Sequence, residues 1–378
     1  MKHEVSAPLE IYIHIPFCVK KCDYCDFLSG PADRSRQHAY GKALLLEIGG
    51  LEYEIGRQAV SVFFGGGTPS LIDAVLIEEI LSNLKEKFSV SPGAEITIEA
   101  NPGTLTKEKL EIYRRAGVNR LSLGLQSANN RELRMLGRIH TYEEFLESFA
   151  LARKSGFSNI NVDLMSAIPG QTREGWNGNL RTVAELGPEH ISAYSLIVED
   201  GTPFAERELD LPDEETEYGM YEDTAKILSE YGYHQYEISN YAKEGLECRH
   251  NIGYWRRTEY LGLGLGAASF YDGVRFSNTR NMEEYLAHSA DPQKIRREIQ
   301  RLSQQEAMEE FMFLGLRMTE GVREKDFADC FGLSLQQKYG RILEKYERTG
   351  FLEKVDGSWR FTRRGIHVSN TILAEFLE

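Results

Sequence analysis

Short apolar runs recur along the first two hundred residues, and between them the apolar positions change from alternating to helical spacing. The runs IYIHI (11–15), SVFF (61–64), ITIEA (96–100), RLSLGLQ (120–126), INVDLM (160–165) and ISAYSL (191–196) read as strands. Helical periodicity occupies 36–56, where Leu44, Leu45, Ile48 and Leu51 share a face, and then 74–88, 105–116, 141–155 and 173–186. Six such units of roughly 30–50 residues predict parallel strands joined by crossover helices. An α/β barrel and a doubly wound sheet both satisfy that pattern. Polar residues favour the barrel, because they fall at strand C-terminal ends in unit after unit: the glycine run after SVFF, Glu99 and Asn101 after ITI, Gln126, and Asp163. Loops at that end surround one shared mouth. Six units predict an incomplete (β/α)6 barrel over residues 1–200.

Beyond residue 200 the pattern changes. Residues 201–299 are rich in Tyr and Gly, as in YHQYEISNYA and HNIGYWRRTEYLGLGLGAASF, and read as an extension of the barrel sheet or a lining of its open side. From 300 to 378, helical segments 303–318, 323–331 and 334–348 precede FLEKVDGSWRFT, whose Asp356-Gly357 suits a tight hairpin turn, and a last helix from Arg363 to Leu377. This predicts a mostly helical, winged-helix-like C-terminal domain. Many such domains bind DNA, but residues 301–378 carry 12 Lys/Arg against 13 Asp/Glu, so a basic footprint is missing and a packing or lid role is expected.

Composition narrows the class. The 378 residues are 41% hydrophobic and 27% charged, ordinary for a globular chain. No apolar run approaches the roughly 18 residues that cross a bilayer, and MKHEVSAPLE lacks a signal peptide's apolar core, so a cytoplasmic location is expected. A net charge of −14 argues against nucleic acid as a partner. The five cysteines are odd in number with three clustered, which fits a metal site better than a disulfide framework. Cys248 and Cys330 stand alone and read as small incidental thiols.

Cys18, Cys22 and Cys25 form a CxxxCxxC loop directly after the first strand. Three soft thiolates from one loop suit an iron–sulfur cluster, which normally takes four, so one position is open. A structural zinc loop is the alternative, with His14 as its fourth ligand. The run Gly65-Gly66-Gly67-Thr68-Pro69 follows a strand and exceeds what a tight turn needs, so close backbone approach to a ligand is expected. Glu99, before Pro102, is placed to accept hydrogen bonds from hydroxyls or an ammonium, or to cap a loop. Gly262, Gly264 and Ala267 satisfy a dinucleotide fingerprint, but YDGVRFSN after them does not read as a helix. His250, beside Tyr254 and Trp255, has the composition of a haem contact, although a lone histidine is more often simply hydrogen-bonded.

The segment YIHIPFC with CxxxCxxC resembles the radical S-adenosylmethionine (SAM) superfamily, and within it the oxygen-independent coproporphyrinogen III oxidase-like family, over essentially the full length. The resemblance implies a [4Fe-4S] cluster on Cys18, Cys22 and Cys25, whose open iron chelates the methionine end of SAM and whose electron cleaves the sulfonium to a 5′-deoxyadenosyl radical. It implies SAM contacts from Tyr12, Gly66, Gly67, Thr68, Glu99, Gln126, Arg138 and Asp163, with Tyr24 against the adenosyl group, and by strand alignment alone Ile197 and Ala268. HNxxYW, here His250, Asn251, Tyr254 and Trp255, marks the family's haem-chaperone branch. Phe27 stands where true oxidases carry a further cysteine, and the segment before the first strand is short. Both departures count against the alternative, coproporphyrinogen III oxidation or related tetrapyrrole chemistry, and leave open whether the chain is an enzyme. Implied partners are haem and an acceptor protein for it, with peripheral contact to membrane haem proteins as one route.

Overall fold

The computed structural model describes residues 8–51 and 57–377. The last residues of the helical segment expected over 36–56, and most of the segment MKHEVSAPLE, lie outside them. Strand β1 (Leu9–Ile15) is followed by α1 (Arg34–Gly50), β2 (Gln58–Gly66), α2 (Ala74–Lys87), β3 (Ser89–Ala100), α3 (Lys107–Ala116), β4 (Arg120–Gln126), the short α4 (Asn130–Met135), α5 (Tyr142–Lys154), β5 (Ile160–Ser166), α6 (Arg173–Glu185) and β6 (His190–Ser195). Strands β1 to β6 pair in sequence order, each parallel to the next. This is the expected six-unit α/β core. Strand β3 begins seven residues earlier than ITIEA, because the chain bulges through Pro92-Gly93 while still pairing at Ser89 and Val90. Proline is tolerated in a strand at such a bulge.

The alternation within each strand decides what faces where. Ile11, Ile13, Ile15, Val62, Phe64, Ile96, Ile98, Leu121 and Leu123 are buried in the main core with the helices. The intervening residues, among them Glu10, Tyr12, Ser61, Phe63, Glu95, Thr97, Glu99, Arg120 and Ser122, project to the opposite side and line the interior. Helix starts are set by side-chain caps, including Asp33, Asp73 and Thr106 and a capping box of Thr141 with Glu144.

The sheet continues past both edges of this run. Helix α7 (Glu214–Glu230), β7 (His234–Gln235) and β8 (Asn240–Ala242) follow, and β8 pairs antiparallel to β6. After α8 (Arg249–Trp255), β9 (Glu259–Leu263) returns to pair parallel to β1, and β10 (Ala268–Tyr271), β11 (Val274–Asn278), α9 (Met282–His288), α10 (Pro292–Ile295) and β12 (Arg296–Arg301) extend that edge. The GxGxxA run is the turn from β9 to β10. A Cβ at Gly262 would lie 2.0 Å from the Ala268 carbonyl oxygen, so backbone packing accounts for that glycine.

The C-terminal part has its own core, built on Met312, Phe327, Tyr339, Leu343, Trp359, Leu373 and Phe376. Its elements are α11 (Gln304–Gly315), β13 (Val322–Arg323), α12 (Glu324–Phe331), α13 (Leu335–Arg348), β14 (Leu352–Val355), β15 (Ser358–Phe361), α14 (Arg363–His367) and α15 (Ser369–Ala374). The β14–β15 turn uses Asp356 (φ 49) and Gly357 (φ 80), the left-handed pair a type I′ hairpin requires. The last helix is broken after His367 rather than continuous to Leu377. Among the described residues no helix is long and apolar enough to cross a membrane.

Candidate functional site

The cysteine loop springs from the C-terminal end of β1 and is closed by its own backbone. Cys18 N–H donates to Gly30 O (3.0 Å) and Gly30 N–H to Pro16 O (3.1 Å), so the loop returns to where it began. Asp23 pins its middle, donating to Leu136 O, accepting from Phe204 N–H and pairing with Arg207 at 2.8 Å. All three thiols are partly exposed. Burial, with the nearby Cys22 and Cys18 sulfurs adding to it, pushes the Cys25 thiol above its ordinary value.

A hydrogen-bonded chain runs beneath this loop. Thr68 Oγ1 donates to Cys18 Sγ (3.6 Å) and accepts from Asn101 Nδ2 (2.7 Å). Asn101 Oδ1 accepts from Arg138 Nη2 (2.6 Å), and Arg138 Nη1 reaches Cys22 Sγ (3.6 Å). Two sulfurs therefore rest on one polar strut anchored at the ends of β2 and β3 and in the segment after α4. A guanidinium beside a sulfur can balance the negative charge of a metal-bound thiolate. Gly124 completes the fit, since a Cβ there would lie 2.8 Å from Asn101 Oδ1.

The glycine run has a steric cause at each position. A Cβ at Gly65 would meet the Tyr12 ring at 2.9 Å, at Gly66 the His14 ring at 2.6 Å, and at Gly67 the Phe17 carbonyl oxygen at 2.6 Å. Gly66 also adopts φ 114, which side-chain-bearing residues avoid. Their amides are spent within the chain, Gly66 N–H on Glu99 Oε2 (3.1 Å) and Gly67 N–H on Ile15 O (2.9 Å). His14 is occupied too, with Nε2 against Leu28 O (2.9 Å) and Nδ1 against the Tyr12 hydroxyl (3.0 Å).

Deeper in the interior, burial pushes the Glu99 carboxyl up to about 8, with the Asp163 carboxylate adding to it and the Gly66 amide opposing. Asp163 is also pushed up by burial and is held by Asn161 Nδ2 (2.7 Å) and Ser122 Oγ (3.3 Å). Gln126 ends β4 at φ 75, a conformation costly for a residue with a Cβ, and its Oε1 accepts from the Tyr194 hydroxyl (2.8 Å). Tyr24 packs on the small cluster of Leu136, Met165, Ile168 and Phe204. Ile197, 68% exposed after β6, and exposed Ala268, at the start of β10, flank this mouth from opposite sides of the six-strand run.

His250 lies elsewhere, toward the strand N-termini. Glu95 sits at the start of α8, accepting from Arg249 N–H (3.1 Å), His250 N–H (3.3 Å) and Cys248 Sγ (3.4 Å). The His250 ring stacks on Phe63 at 5.0 Å, its Nδ1 meets Ser61 Oγ at 2.8 Å, and it is 2% exposed. Burial, with Arg120 nearby, pushes it down to about 3, so it is neutral. Tyr254 packs edge-on against the same ring at 4.8 Å, Asn251 is half-buried, and Trp255 turns to the C-terminal part, beneath the Arg317 guanidinium at 4.7 Å. The folded chain gives His250 no open side, so HNxxYW is divided between the barrel floor and the domain boundary.

The donor set at the mouth suits an iron–sulfur cluster: three partly exposed thiols on one pinned loop with a guanidinium beside them. Among the described residues no three histidine, cysteine or acidic side chains gather closely enough for a single ion. Reasoning from sequence did not place Asn101, Gly124 or Tyr194 in the site. Asn101 carried a signal, as a polar residue at a strand end; Gly124 carried none, because its cause is the Asn101 side chain of the neighbouring strand end, twenty-three residues away.

Residues 12–183 match the radical SAM superfamily and residues 302–368 the HemN C-terminal domain. The chain is 36% identical to the haem chaperone HemW of Lactococcus lactis over 99% of its own length and 98% of the relative's. It is likewise 36% identical to HemW of Bacillus subtilis, covering 97% and 98%, and of Escherichia coli, covering 98% of each. Coproporphyrinogen III oxidase (HemN) from Escherichia coli, a radical SAM enzyme, superposes with a TM-score of 0.86 at 24% identity, over 100% of this chain and 91% of that one, a likeness of fold.

Proposed function

The chain belongs to the HemW family of radical SAM proteins, and we propose that it binds haem and passes it to an acceptor protein while carrying a SAM-coordinated [4Fe-4S] cluster. The observation that carries the cluster is the strut Cys18–Thr68–Asn101–Arg138–Cys22, which fixes two of three thiols at a solvent-open mouth. Cys18, Cys22 and Cys25 would hold the cluster. When bound, cluster and SAM supply one-electron chemistry at the mouth. The amides of Gly66 and Gly67 are spent within the chain, so contact from this run to a ligand would come through carbonyl oxygens, which suit a donor-only ammonium. Glu99 at about 8 is largely neutral at pH 7 without a ligand; a cation beside it would favour the carboxylate, so the residue is suited to holding an ammonium or ribose hydroxyls. Tyr12, Thr68, Gln126, Arg138 and Asp163 line the same interior, and Tyr24, Ile197 and Ala268 form its rim.

Haem handling is supported by the full-length likeness to HemW proteins and by HNIGYW. Oxidation of coproporphyrinogen has less support: the likeness to the oxidase is one of fold, and Phe27, where the resemblance expects the oxidases' further cysteine, has its ring 63% exposed. Anaerobic reconstitution followed by titration with haem, then mixing with an apo-haem protein, tests the reading. Saturable haem absorption that moves to the acceptor is expected, with no carbon dioxide from coproporphyrinogen III under SAM and reductant. An absence of saturable haem binding would sink it.

A further inference from the structure

Resting on the haem reading, the structure points to a specific seat for the macrocycle, away from both His250 and the cysteine mouth. A groove of about 380 Å³ lies between the end of α8 and the C-terminal part. Trp255, Phe311 and Met318 supply apolar walls, and Arg256, Arg257 and Arg323 supply charge. We propose that haem binds edge-in here, with Cys330 on α12 as an axial ligand and the arginines receiving the propionates.

Four observations converge on this groove. First, charge distinguishes it from the groove beside α7. The chain carries −14 overall, yet three arginines face this groove against Glu320 and Asp326. The larger groove of about 760 Å³ beside α7 is lined by Glu214 and Glu217 with Arg317, which disfavours a dicarboxylate. Arg256 pairs with Glu320 at 2.7 Å and Arg257 with Glu310 at 3.1 Å, whereas Arg323 is exposed with no ion pair among the described residues. A guanidinium in one pair still has donors to offer a second carboxylate.

Second, the surface is apolar where a porphyrin face would lie, and an indole and a phenyl ring are suited to a flat macrocycle. Third, Trp255 Nε1 is buried without a partner among the described residues, an unspent donor at the groove wall. Fourth, Cys330 is exposed and lines the groove, and thiolate is an established axial ligand for haem iron. Burial pushes its thiol up, so it waits protonated; on ligation an Fe–S bond forms and the proton leaves to solvent, with no change in iron oxidation state. The opening to solvent leaves one haem edge accessible, as handover to an acceptor needs. In this arrangement HNxxYW serves haem through Trp255, while His250 anchors α8 to the barrel floor.

The test is titration of the reconstituted full chain with ferric haem, followed by Soret absorption and electron paramagnetic resonance, for the unchanged chain and for Cys330→Ser, Trp255→Leu and Arg323→Glu. Expected are a thiolate-type spectrum that disappears in Cys330→Ser, and affinity lowered about tenfold in each variant. Cys330 and Arg323 lie on the surface, so melting should hold and loss of binding would not reflect loss of fold. A Cys330→Ser chain that keeps the parent spectrum and affinity overturns this seat while leaving the haem reading intact. Failure of the unchanged chain to bind haem at all overturns that reading, and the seat with it.

Discussion

The two ends of the barrel interior are both polar, yet they are built to opposite purposes. At the floor, Glu10, Ser61, Glu95, Arg120, His190 and His250 are all buried; Ser61 meets His250, Glu95 caps α8, and His190 joins Asn161 (2.6 Å) to the Tyr236 hydroxyl (2.8 Å), while Glu10 Oε2, Arg120 Nε and His250 Nε2 have no hydrogen-bond partner among the described residues. At the mouth, the three cysteines are partly exposed, and Gln126 and Gly66 hold positive φ. Polar residues inside a barrel therefore do not by themselves mark a site. Closure marks the structural end, and strain combined with access marks the functional one.

That contrast is broken most severely at the cysteines. Cys22→Ala should abolish retention of iron and sulfide after reconstitution while the chain melts close to its parent, since the thiol makes no core contact; equal iron contents would contradict the site. At the floor the order reverses. Arg120 is 2% exposed among Glu95, Cys248, Tyr236 and Asp163, and Arg120→Met should cost about 3–5 kcal/mol in denaturant unfolding by leaving buried acids without their cation. Asn101→Ala at the mouth is intermediate. It removes the centre of the strut, so a loss of about 1–3 kcal/mol and cluster release roughly tenfold faster are expected.

A smaller effect separates the ends by pH. Glu99 is pushed up from 4.5 to about 8, so the folded chain holds a proton that the unfolded chain has lost over that window. Stability from this group is full below about 4.5 and falls as pH rises through 8. His250 works in the other direction: pushed down from 6.5 to about 3, it contributes stability above 6.5 that is lost as pH falls toward 3. Glu99→Gln should flatten the decline in melting temperature of the cluster-free chain between pH 5 and 8 and leave the acid limb unchanged. An unaltered profile would show that Glu99 is ionised throughout. Least of all, Phe27→Ala should shift stability by under about 0.5 kcal/mol, because the ring is exposed.

Much of the frame was legible along the chain. All six strands of the parallel run and their crossover helices were anticipated, because period 2 and period 3.6 are local properties of a sequence. Boundaries slipped where local signals conflict, as at Pro92-Gly93, which fell between the predicted helix and strand but forms a bulge within β3. The short helix α4 was also missed, being too brief to show a period.

CxxxCxxC fixed the ligand set, since ligands within one loop are related by spacing alone, and full-length resemblance then named the cofactors. What only the tertiary structure decided is which polar residues meet. Cys22 and Arg138 lie 116 residues apart, Ser61 and His250 189, and neither pairing is encoded in any window of sequence. The fold placed His250 on a closed floor and turned Trp255, five residues on, toward a basic groove with Cys330, a thiol that looked incidental in isolation. A helix sends neighbouring side chains to different faces, so one motif can serve two places at once, and packing settles which.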